Sequence, residues 1–121
     1  MSYFPNTFDH DINTTETATD EIIEDRLVYR VLVKHSGAMT ASATTSVAHG
    51  VTFDKLIRIT MTIERDDGTT ISFPWNHQNS GSTLHLGCTV DGTNVDIHLG
   101  AGWTGANNLL TDAWIIMEYL K

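Results

Sequence analysis

The sequence predicts an all-β fold, an antiparallel β-sandwich of about seven strands, jelly-roll-like or immunoglobulin-like in topology, with an extended N-terminal arm. Three observations point there. From Leu27 onward, β-branched and other apolar residues alternate with polar ones at period 2. Gly, Asp and Asn interrupt this pattern every ~8 to 12 residues, the spacing of a sandwich. No amphipathic segment of helix length appears in this region. The 121 residues allow one domain, and an apolar share of 40% is enough to build its core.

Residues 1–26 read as the arm and residues 27–121 as the sandwich domain. Residues 1–25 hold seven acids (Asp9, Asp11, Glu16, Asp20, Glu21, Glu24, Asp25) and no Lys or Arg, whereas residues 26–121 hold eight acids and all seven bases. The formal net charge of -8 therefore describes the arm, and the remainder is close to neutral. The arm is polar and Thr-rich, and its Tyr3, Phe4, Phe8, Ile12, Ile22 and Ile23 follow no sustained period, so taken alone it reads as disordered. Tyr3, Phe4, Phe8 and Ile12 suit docking on a partner, by adding a strand or filling grooves. Seven carboxylates on a docking arm call for a basic partner surface.

In Leu27–Lys34, Leu27, Tyr29, Val31 and Val33 share one face while Arg30 and Lys34 lie on the other. A looser segment, Ser36–Ala43, leads to a short strand over Thr44–Ala48, closed by a turn at His49-Gly50. Lys55–Arg65 directs Ile57, Ile59, Met61 and Ile63 inward and Arg58, Thr60, Thr62 and Glu64 outward. Setting Ile63 opposite Ile71 and Met61 opposite Phe73 leaves Asp66-Asp67-Gly68 as a three-residue loop, with Gly68 in the left-handed position of a G1 bulge. A two-residue loop would turn Glu64 into the core.

A second hairpin surrounds Asp91-Gly92. A two-residue loop pairs Leu84 with Leu99, Leu86 with Ile97 and Cys88 with Val95, and sets His85 opposite His98. A four-residue loop, Asp91–Asn94, keeps the same faces and separates the histidines; periodicity does not choose between two even shifts. The last strand, Ala113–Tyr119, is apolar on both faces, the pattern of a strand covered on both sides. Within it, Trp114 reads as core.

The composition excludes several function classes. Seven scattered bases in a net-negative chain supply no cationic groove for nucleic acid and no patch for an anionic membrane surface. The longest apolar run, Ala113–Met117, is far short of the ~20 residues of a membrane span. Met1–Pro5 lacks a basic start and an apolar stretch, so secretory export is not indicated. Cys88 is the single cysteine, and folding in a reducing cytoplasm is compatible with it.

No constellation for nucleophilic catalysis is found: there is no G-x-S-x-G elbow and no phosphate-cradling loop, and Gly100–Gly105 leads from one strand to another rather than to a helix. His85 and His98 would share a metal only in the two-residue register, and the plainer reading is a polar outer face. His49 reads as a turn residue capped by backbone. Asp9–Asn13 matches a calcium loop only partly, with Thr14 where the turn needs Gly, and reads as solvated acid. No enzyme, cofactor or metal site is expected. Trp75, after Pro74, and Trp103, in its glycine loop, are either exposed aromatics that anchor a partner or a glycan, or satellite core under a loop.

Four blocks, Val28-Tyr29-Arg30, Thr45–Val51, Asp91–Ile97 and Met117–Lys121, together resemble, in order and spacing, the C-terminal β-sandwich domain of bacteriophage tail fibres, receptor-binding proteins and small virion proteins. The resemblance implies a non-enzymatic homotrimer located in the virion. Where such domains often carry an Asp-Arg-Ser-like segment before the last strand, this chain has Trp103–Asn108, so receptor chemistry does not transfer. A short arm ahead of the domain suits a capsid decoration (cement) protein clamped to the major capsid protein. The alternative is a small receptor-binding or tail-adaptor protein that contacts tail proteins or a host surface glycan.

Overall fold

A computed structural model describes residues 15–73, 84–104 and 108–121. The strands in chain order are β1 (Thr17–Ile23), β2 (Arg26–His35), β3 (Thr44–Ala48), β4 (Lys55–Arg65), β5 (Thr70–Phe73), β6 (Leu86–Val90), β7 (Asn94–Leu99) and β8 (Leu110–Leu120). No α-helix occurs among the described residues. The strands form two antiparallel sheets, β1-β2-β8-β4-β5 and β3-β7-β6, packed as a β-sandwich.

The final strand is the centre of the larger sheet. β2 flanks β8 in unbroken register, from Val28 opposite Leu120 to His35 opposite Ala113, and β4 flanks its other side. Alternation sends Ala113, Ile115, Met117 and Tyr119 inward, where all are fully buried. There they join Val31, Val33, Met61, Ile63 and Ile71 of their own sheet against Val47, Leu86, Val95, Ile97 and Leu99 of the other. Met39, in the segment before β3, is held by its N–H on Leu110 O (2.8 Å) and plugs the core edge.

The β4–β5 hairpin has the expected register, with Ile63 opposite Ile71 and Met61 opposite Phe73. Gly68 has φ +88° and donates its N–H to Arg65 O, while Asp67 Oδ1 accepts from the N–H and hydroxyl of Thr69. Further back in β4, one expectation needs correction. A bulge between Leu56 and Arg58 reverses the alternation, so Leu56, opposite Tyr119, packs on the core in place of Ile57.

The β6–β7 hairpin adopts the four-residue loop, pairing Leu86 with Leu99, Cys88 with Ile97 and Val90 with Val95. Side-chain capping, not hydrophobic phase, decides this. Asp91 Oδ1 accepts from the N–H groups of Thr93 (2.8 Å) and Asn94 (2.7 Å), closing an Asx-type turn.

β1 is the strand that period-2 reading did not find, because it lies among residues assigned to the arm. It pairs with β2 around a bulge between Ala18 and Ile22, through a two-residue turn at Glu24-Asp25. Both turn residues have positive φ, 53° and 63°, as a type I′ turn requires; Asp25 tolerates that region, whereas the Glu24 side chain resists it. Ser42, at φ 58°, is held in the same region.

These backbone angles predict substitutions of opposite sign. Ser42→Gly should relieve left-handed strain and raise stability by about 0.5 kcal/mol after the entropic cost of glycine, whereas Gly68→Ala should lower it by about 1 kcal/mol. Paired thermal unfolding of the two variants checks the signs.

Candidate functional site

Two regions of the sandwich bring together side chains that chain order keeps apart. The first is the end where β1 begins and β8 finishes. Tyr119 stacks beside Tyr29 on the neighbouring strand (centroids 6.4 Å), Phe53 tilts against Tyr119 (5.7 Å), and His49 meets Phe53 edge-on (5.5 Å). His49 is only 4% exposed. Its Nδ1 accepts from the N–H of Val51 (3.2 Å), which leaves Nε2 to donate to Asp91 O (2.9 Å). One neutral imidazole thus ties the end of β3 to two loops, and with both ring nitrogens committed to backbone it serves as a capped turn residue.

Glu16 completes this end by accepting from the Tyr119 hydroxyl (2.5 Å) and from Lys121 Nζ (2.9 Å). Burial works to raise its pKa, but the hydrogen bonds from Lys121 and Tyr119 outweigh it and hold the carboxyl below its ordinary range. Burial, reinforced by Glu16, pushes the Tyr119 phenol well up. Lys121 also lies over the Tyr29 ring, 4.9 Å from its centroid.

The second region is the outer face of the five-stranded sheet. Arg30, Glu118 and Arg58 are aligned across β2, β8 and β4 by register. Arg30 grips Glu118 Oε2 with Nε (3.0 Å) and Nη2 (2.7 Å), Arg58 Nε donates to Oε1 (2.6 Å), and Arg58 Nη2 reaches Glu21 of β1. The Arg58 hydrogen bond, with Arg30 behind it, keeps the Glu118 carboxyl low against the opposing effect of burial. Beside this row runs a groove of about 440 Å³ lined by Thr15, Thr17, Arg30, Leu32, Thr60, Ile116 and Glu118. Ile116 is 38% exposed, and Trp114 is half-buried under Lys34 Nζ, 5.5 Å from the ring centroid.

The structure decides two alternatives that the sequence leaves open, for Trp103 and for the histidine pair, and corrects the placement of Trp114. Trp103 is fully buried, its indole N–H donating to His85 O (2.7 Å), so it is satellite core and presents nothing to a partner. Trp114 lies half-buried on the outer face of β8 instead of in the core, and on that face Ile116 is exposed. His85 and His98 are not cross-strand partners, because His98 stands opposite Gly87. The ring nitrogens of His98 pair with Thr44 Oγ1 (2.9 Å) and Thr89 Oγ1 (2.8 Å), and Asp96 accepts from Ser46 Oγ (2.6 Å). No group of three metal-binding side chains assembles among the described residues. Tyr3, Phe4, Phe8, Ile12 and Trp75 lie outside the described residues.

The basic partner proposed for the arm loses much of its ground. Glu16, Glu21 and Glu24 already pair with this chain's own Lys121, Arg58, and Lys55 and Arg26. Cys88 is half-buried, and burial together with the charge of Asp96 pushes its thiol up to about 11, the opposite of an activated nucleophile. Sequence reading missed Leu32 and Ile116 as surface groups, although the double apolar alternation of the last strand carried the signal. Nothing in the sequence marked Phe53 or Glu16. No known family model, curated protein sequence or solved structure matches the chain.

The carboxylates predict how β1 responds to acid. Glu16, Glu24 and Glu118 have depressed folded-state pKa values, so their contribution is complete above the ordinary glutamate value of 4.5 and disappears as pH falls through the depressed ones. Below that value the β1 amides should exchange with solvent faster, relative to intrinsic rates, while amides of central β8 stay protected. Hydrogen exchange at neutral pH and in acid checks this.

Proposed function

We propose that the protein is a structural component of a bacteriophage virion: a homotrimeric capsid decoration protein that binds the major capsid protein through the segment preceding its sandwich and stabilises the head. The observation that carries this reading is the convergence of the four sequence blocks behind the family resemblance. Val28-Tyr29-Arg30 is paired with the Met117–Lys121 block across β2 and β8, with Tyr29 opposite Tyr119. Thr45–Val51 is paired with Asp91–Ile97 across β3 and β7, and His49 bonds Asp91. Phe53 joins the two pairs through its contacts with His49 and Tyr119. Residues scattered through the chain therefore make one structural unit, which supports reading the four blocks as parts of one scaffold.

The way the arm joins the sandwich supports a tethering role. β1 is fixed by pairing with β2 and by the ion pairs of Glu16, Glu21 and Glu24, so a segment preceding Thr15 leaves from a rigid anchor at the rim of the outer-face groove. Residues 1–14 carry Tyr3, Phe4, Phe8 and Ile12 and only two acids, Asp9 and Asp11. Attachment through that segment would draw more on apolar burial than on charge.

The experiment removes residues 1–14, since a longer deletion would also strip β1 from the sheet. The truncated protein should fold with wild-type circular dichroism and fail to bind heads that lack the protein, and labelled antibody should place the intact protein on heads of complete virions. Undiminished head binding by the truncated protein sinks the arm's role. Antibody on the tail, with binding of the isolated protein to host cells, would make it a receptor-binding protein.

A further inference from the structure

β1 lies at the end of the five-stranded sheet and, among the described residues, pairs with β2 alone. Five of its seven residues are exposed and none is buried, so little apolar surface ties it down. What holds it is the ladder to β2, the Thr19 hydroxyl on Val28 O (2.8 Å), the Glu21–Arg58 pair, and the bonds of Glu16 to Tyr119 and Lys121. As an edge strand ahead of β2 to β8 in the chain, it can leave the sheet without drawing any of them with it. The turn that joins it to β2 is the strained point of the hairpin, since Glu24 and Asp25 both have positive φ and neither is Gly or Asn. Glu24 bears most of that cost.

Opening that turn to an extended chain relieves the strain and separates β1 from β2. A second copy replaces what is lost, because its own β1 fits the vacated edge in the same register and with the same partners. The Glu21–Arg58, Glu16–Lys121 and Glu16–Tyr119 contacts form again between copies, with Arg58 still bound by Glu118. Closed and exchanged forms therefore differ in the hinge and in the entropy of association. At the hinge the charges oppose exchange. Ile22 faces Leu27 and Ile23 faces Arg26, so a ladder continued through the straightened hinge sets Glu24 of each copy opposite Asp25 of the other. In the closed form Glu24 instead meets Arg26 and Lys55, and Arg26 also holds Asp54 and the Lys121 carbonyl. Acid neutralises carboxylates at the hinge and in the pairs that pin β1, which eases both its release and its exchange. We propose that β1 is an exchangeable strand: with Glu24-Asp25 as hinge, it leaves its own sheet and pairs with β2 of a second copy. The inference goes beyond the virion reading and rests neither on it nor on a threefold assembly, since reciprocal exchange between two copies leaves no strand unpaired.

The test uses the full chain in a Cys88→Ala background. Ile22→Cys and Leu27→Cys place thiols at facing, exposed positions, so both variants should keep wild-type circular dichroism. A chain carrying both substitutions should form its disulfide on oxidation, which establishes that this pair of positions can bond. The two single variants are then mixed at high concentration, taken below the ordinary glutamate value of 4.5, returned to neutral pH and oxidised. Two chains linked by a disulfide should appear in the mixture, at several times the level found without the acid step, and in neither variant alone. Adding Asp25→Val to both chains puts a β-branched side chain where φ is positive and removes an acid from the hinge, so it should raise the linked yield several-fold without acid. No linked pair in the mixture, equal linking in either variant alone, or an Asp25→Val yield no higher than that of the parent hinge overturns the proposal.

Discussion

The structure depends on β8 lying between β2 and β4. Those two strands do not pair with each other, so the larger sheet has no continuous ladder until the last residues of the chain are inserted. The cost is entropic, because pairing Val28 with Leu120 closes a loop of nearly the whole domain before any contact rewards it. The return is a strand whose backbone groups are satisfied on both sides and whose inner face puts four buried residues into the core. The aromatic junction, the Arg30–Glu118–Arg58 row and the outer groove all hang from this strand. Residues far apart in sequence become neighbours only because β8 brings a partner to each.

The acidic N-terminal region takes its meaning from the same arrangement. A run of seven acids with no base suggests a solvated tail seeking a cationic partner. In the folded chain the bases are distributed so that Lys121 at the chain end, Arg58 and Lys55 on β4 and Arg26 on β2 receive Glu16, Glu21 and Glu24. Each pair is partly exposed and contributes little alone. Together they hold an edge strand of low apolar content against the sheet, a task that hydrophobic burial performs for the inner strands. Acidic side chains also discourage unplanned pairing along that edge.

How much was legible in the sequence follows from which physical signal decided each feature. The β4–β5 hairpin was legible because a wrong loop length would reverse side-chain parity and bury Glu64. The β6–β7 register was not, because two even shifts preserve parity, and the choice fell to the Asp91 carboxylate and its backbone donors. β1 was hidden because Thr17, Thr19 and Asp20 give it no apolar face to alternate. The places of Trp103, which the sequence leaves open, and of Trp114, which it puts in the core, are decided for related reasons. A glycine loop can fold a tryptophan inward when a carbonyl such as that of His85 receives its N–H, and a tryptophan within a strand is buried only if its face is the inner one. The convergence at His49, Phe53 and Tyr119 depends on contacts between loops and strand ends, for which local pattern has no signature.

A chain with net charge -8 is at first sight a poor candidate for self-association, because copies repel at long range. The repulsion is screened over roughly 8 Å at physiological ionic strength, so it slows approach more than it weakens contact.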